Sequence, residues 1–104
     1  MQGFIYVILL ILLFVPAYAY GPNIETIFGT TNEQYIRAKI TNKTNQELAC
    51  YLAIDGYKIK FRLPPFQSSK WYKATDRRFT YKDFSTWCDY IKYHPEFKRY
   101  DIQL

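Results

Sequence analysis

Asp55-Gly56 stands at the midpoint of two alternating apolar runs, and no other feature of this 104-residue chain restricts its folding as tightly. Before it, Leu48, Cys50, Leu52 and Ile54 alternate with Ala49, Tyr51 and Ala53. After it, Tyr57, Ile59, Phe61 and Leu63 alternate with Lys58, Lys60 and Arg62. A period of two is a strand signal, and an Asp-Gly pair between two strands favours a type I′ turn, which needs positive φ at both positions. Residues 47–63 therefore read as a β-hairpin. Both faces of the first arm are apolar, so it is expected to be central. The second arm turns one face to the core and three cations to water, and Pro64-Pro65 ends it because neither proline donates to a ladder.

Upstream, Ile36, Ala38 and Ile40 alternate with Tyr35, Arg37 and Lys39, which predicts another strand with one apolar and one cationic face. Residues 42–46 form a polar turn, and 71–74 fit a shorter strand. Residues 20–33, with Gly21, Pro22 and Gly29 to Asn32, read as an irregular lead-in with room for one brief strand near 24–28. After Arg78 the period changes. Phe84, Trp87, Cys88 and Ile91 recur at i, i+3, i+4 and i+7, which is helical spacing. Thr80 with Asp83 resembles a capping box, and Pro95 marks an end. The expectation is an α+β fold: a small antiparallel β-meander packed by one C-terminal helix.

Phe4 to Val15 is an unbroken apolar run, followed by Pro16 and by Ala17 and Ala19 in A-x-A spacing. As a helix the run would cover only about 18 Å, against about 30 Å of hydrocarbon, so residues 1–19 read as a cleavable export signal. The alternative is an uncleaved membrane anchor over residues 4–20. The chain from residue 20 onward then keeps all fourteen Lys and Arg and all nine Asp and Glu, a formal net charge of +5, and residues 34–104 form a single globular domain. Cys50 and Cys88 are the only cysteines. In an exported chain they read as a disulfide, worth about 4 kcal/mol on the chain-entropy model and expected to tie the helix to the central strand. The localisation that follows is secreted or periplasmic.

An all-β immunoglobulin-like sandwich is the alternative fold. Its pattern puts a Trp on the strand after the first Cys and a Tyr two residues before the second. Here Trp71 lies beyond the hairpin and position 86 is Thr86, so no family resemblance follows.

The residues point to no catalytic constellation. His94 is the only histidine, and the H-x-E of His94-Pro95-Glu96 lacks the P-C-x-x-C partner of zinc deaminases. Asp76, Asp83, Asp89, Glu96 and Asp101 are scattered, and no glycine loop, nucleophile elbow or metal-binding cluster is present in the sequence. A non-enzymatic protein without metal or cofactor is expected. Asn42-Lys43-Thr44 fits a glycosylation sequon in a turn.

Cations carry the positive signal. Lys58, Lys60 and Arg62 on one strand, and Arg37 and Lys39 on another, would share one surface if both strands flank the central one. Lys70 and Lys73 bracket Trp71, with Arg77 and Arg78 nearby, and interleaved aromatics and cations suit an anionic ligand. The expected function is an exported accessory or binding protein contacting an anionic envelope component or a protein through this basic sheet face. Nucleic acid also fits, though without specificity, and membrane contact fits only if the N-terminal segment is retained. A secreted cationic effector, toxin-like or hydrolytic, and a periplasmic inhibitor or immunity protein are the alternatives.

Overall fold

A computed structural model describes residues 21–104, so the export signal and its cleavage site lie outside the described residues. Six strands form two antiparallel sheets. Sheet A has the order β1-β2-β5, from Ile24–Thr30, Ile36–Asn42 and Tyr72–Lys73. Sheet B has the order β4-β3-β6, from Tyr57–Leu63, Leu48–Ile54 and Phe84–Tyr90. The expected lead-in thus contains a full strand, β1, paired along its whole length with β2.

The hairpin closes as its turn residues require. Asp55 and Gly56 both adopt positive φ, +48° and +88°, and β3 pairs with β4 from Leu48↔Leu63 to Ile54↔Tyr57. β3, the central strand of sheet B, is buried on both faces, with Leu48, Cys50 and Leu52 in one apolar cluster and Ala49 against Ile91 and Phe97 on the other side.

The C-terminal helix is not there. No α-helix occurs among the described residues, and the segment expected to be helical is β6, paired with β3 from Leu48↔Tyr90 to Ile54↔Phe84. The helical spacing arose because both faces of β6 are covered. Phe84 and Cys88 belong to the face that packs in the main core, whereas Trp87 alternates onto the other face, where Ile91 and Phe97 meet it. Superposing two period-two patterns mimics i, i+3, i+4, i+7. The Thr80–Asp83 capping box does form, with the Thr80 amide donating to Asp83 Oδ2 at 2.7 Å, but it opens only the 3-10 turn Tyr81–Asp83.

The two sheets face each other. Ala38, Ile40 and Tyr72 of sheet A and Leu48, Cys50, Leu52, Phe61, Leu63 and Cys88 of sheet B form one core, and Thr26 and Thr86 hydroxyls meet across it at 3.0 Å. This is a small β-sandwich, but not the immunoglobulin arrangement, in which the disulfide bridges the sheets. Here Cys50 and Cys88 are directly opposed on neighbouring strands of one sheet, with Cα atoms 4.1 Å apart. The disulfide staples strand to strand, not helix to strand.

Candidate binding face

Alternation along β2 sends Ala38, Ile40 and Asn42 into the core and Arg37, Lys39 and Thr41 outward. On β5, Tyr72 points inward onto Phe61, their rings stacked at 5.6 Å, so Lys73 points outward and lies opposite Arg37. Trp71, just before β5, lies against the outer surface of sheet A. The Arg37 guanidinium is 4.3 Å and the Lys39 ammonium 4.8 Å from its ring centre. Gly29 makes room for that ring, since a Cβ there would stand 3.3 Å from Trp71 Cη2. Beside it, Tyr35 is flanked by Lys73 at 4.9 Å and Arg77 at 5.3 Å, and Arg77 is held by donating to the Glu33 carbonyl at 2.8 Å. Lys70 stands exposed at the rim, its amide donating to the Gln103 carbonyl.

The electrostatics of this face are uncompensated. None of Arg37, Lys39, Lys70, Lys73 or Arg77 is in an ion pair among the described residues. Glu25, the carboxylate on β1, is paired with Lys43 at 3.6 Å. Each cation–ring contact is worth about 0.5–1 kcal/mol at exposed sites. They favour these positions for the cations without neutralising them.

The expected five-cation surface does not exist. β2 and β4 belong to different sheets, so Arg37 and Lys39 face away from Lys58, Lys60 and Arg62 across the sandwich. The sheet face that carries the second set is partly covered, although Lys58 and Lys60 themselves stay exposed. Tyr51 and Trp87 stack on the outside of sheet B at 5.5 Å, and Ile91, His94, Phe97 and Tyr100 close over them. Arg62 is consumed there, donating to the Tyr100 carbonyl at 2.8 Å and paired with Glu47 at 3.5 Å. Lys58 sits over Tyr51 and Lys60 near Tyr100.

His94 ends the 3-10 turn Ile91–Tyr93 and not an α-helix. Its Nε2 lies 2.8 Å from Asp89 Oδ2 and its edge meets the Trp87 ring at 5.0 Å, so it pins the C-terminal segment to β6. Both cysteines are in the disulfide, which removes them as nucleophiles. An open pocket at the β3–β4 turn, lined by Ile54, Asp55, Tyr57, Thr75 and Phe79, has Asp55 as its one charged group.

Asn42 is fully buried rather than presented in a turn. Its Nδ2 donates to the carbonyls of Gln46, Leu63 and Pro64 at 2.7, 3.1 and 3.0 Å, and its Oδ1 accepts from the Thr44 amide and hydroxyl. A glycan on Nδ2 would displace those bonds, so the sequon serves the fold.

The charges and Trp71 are legible in the amino-acid sequence, but Gly29 is not, because its role exists only through its register opposite Arg37 and beneath Trp71. Compared with known proteins, the chain matches no family model, and neither a curated protein nor a solved structure is significantly similar to it.

Proposed function

We propose that this is a non-enzymatic binding domain working outside the cytoplasm, and that the outer face of sheet A holds an anionic partner. One observation carries the reading: Arg37 and Lys39 lie over the Trp71 ring, with Lys73 opposite Arg37, and among the described residues no carboxylate is paired with any of the three. A protein does not need such order in its cations for solubility alone, because mobile lysines serve that purpose. Cations on one face of a sheet present their charge at strand spacing, about 4.8 Å across and about 7 Å along the strand, a pattern that suits closely spaced sulfate, phosphate or carboxylate groups. The extracytoplasmic setting is supported by the disulfide, a bond that persists in oxidising compartments.

The test is a titration with a heparin hexasaccharide, followed by tryptophan fluorescence over a series of salt concentrations. Trp71 and Trp87 are the only tryptophans, so a Trp87→Phe background isolates Trp71. Binding should perturb Trp71 and weaken steeply with salt. Lys39→Ala with Lys73→Ala should lower affinity at least about tenfold, while Lys58→Ala with Lys60→Ala leaves it within about twofold. Equal losses from both pairs would contradict the reading.

A further inference from the structure

β1 is an edge of sheet A with nothing paired to its outer side among the described residues. The other three edges are guarded. β5 is two residues long, β4 carries Lys58, Lys60 and Arg62 and is bridged at Arg62 by Ile102, and Gly21 lies close to the Cys88 carbonyl on β6. β1, with sequence IETIFGT, has no Lys, Arg or Pro in its seven residues. An open edge of that length with no lysine, arginine or proline to guard it is a template for another strand.

We propose that the strand it takes is β1 of a second copy, in antiparallel register centred on Ile27. The register follows from the hydrogen bonding. The Lys43 amide donates to the Asn23 carbonyl and the Thr31 amide to the Tyr35 carbonyl, so odd-numbered residues of β1 bond toward β2. On β2 the even residues Ile36, Ile40 and Asn42 bond toward the β5 side, which fits the same alternation. The amides and carbonyls of Ile24, Thr26, Phe28 and Thr30 therefore point to the open edge. Two copies related by a two-fold axis must match even residues with even ones, and only Ile24↔Thr30 with Thr26↔Phe28 uses all four in both chains.

Side chains fit the same register. Ile27 meets Ile27 of the second copy on the outer face. Glu25 falls beside Gly29 of the second copy, over which the Arg37 guanidinium leans, Arg37 Nε being 3.4 Å from where a Cβ would stand. Glu25 is the only charged residue of β1, so each seam carries one carboxylate facing one guanidinium, twice over. The product is a continuous six-stranded sheet with both cationic faces on one side. The pairing does not depend on what those faces bind.

Sedimentation equilibrium of the purified protein at about 0.2 mM tests it. A dimer is expected, retained by Ile27→Val and shifted to monomer by Ile27→Lys, which sets two like charges opposite each other, with the melting temperature of the monomer showing that the variant is folded. Position 27 faces itself in a non-hydrogen-bonded pair, with Cα atoms about 4.5 Å apart. Air oxidation of Ile27→Cys should therefore link two chains, whereas Glu25→Cys, which opposes position 29, should not. A wild-type monomer at that concentration, a dimer indifferent to Ile27→Lys, or efficient linking through Glu25→Cys would each overturn the proposal.

Discussion

Position 42 concentrates more of the fold's polar bonding than any other side chain described. One buried amide holds the end of β2, the 43–46 turn and the end of β4 together. Asn42→Ala would leave several of those groups unpaired inside the protein, and the cost should be about 3 kcal/mol or more, measured by urea unfolding. Folded protein secreted from a glycosylating host should carry no glycan at Asn42 by intact mass. Tyr72 presents the opposite case, since its hydroxyl is buried without a hydrogen-bond partner. Burial pushes its phenol up to about 12. An unfolded tyrosine ionises near pH 10, so this residue's contribution is intact below pH 10 and declines as the pH rises toward about 12. Tyr72→Phe should be neutral or stabilising by up to about 1 kcal/mol at pH 7, and should flatten the alkaline fall in stability between pH 10 and about 12. A variant as steep as the wild type in that window would contradict the assignment.

Among the elements, β6 separates what local sequence can specify from what it cannot. The β3–β4 hairpin is legible because its turn residues, its alternation and its proline stop all lie within one stretch of chain. β6 was not, because its two faces meet different partners, and a strand covered on both sides loses its alternation. Its own residues, with Phe84, Thr86, Trp87 and Tyr90, favour a strand, and that composition was the available signal. The Thr80 capping box pointed the other way although it begins only one short turn. The basic residues divide between two sheets for a related reason: alternation tells which residues share a face of a strand, but not which sheet the strand enters. The disulfide reinforces the pairing of β6 with β3, buried at Cys50 and nearly so at Cys88. Reduction should therefore cost about 4 kcal/mol on the loop-entropy model, and hydrogen exchange should quicken in β6 before it does in β1 and β2. Unchanged thermal stability after reduction would show that the sheet holds β6 unaided.

Across the whole molecule, the two outer faces are treated differently. Sheet B covers its outer face with the chain's own C-terminal segment, through Trp87, His94, Phe97 and Tyr100. Among the described residues, sheet A leaves its outer face without such a cover and spreads Arg37, Lys39 and Lys73 around Trp71 and Tyr35 without a compensating carboxylate. Of fourteen basic residues, Lys43, Arg62 and Arg78 are the ones paired with carboxylates among the described residues, so the positive field is available to a partner. Dimerisation through β1 would set Glu25 of each copy near Arg37 of the other but leave Lys39 and Lys73 of both copies uncompensated on one side of the sheet, raising the avidity for a long polyanion over that for a short one. Where the anion lands is the deciding question, and a nitrogen-15 NMR titration with a heparin hexasaccharide at low salt answers it residue by residue. The amides of Arg37, Lys39 and Lys73 and the Trp71 indole should shift together, with those of Lys58, Lys60 and Trp87 unmoved. Shifts confined to the sheet B side, or none at all at saturating ligand, would contradict a binding role for the open face.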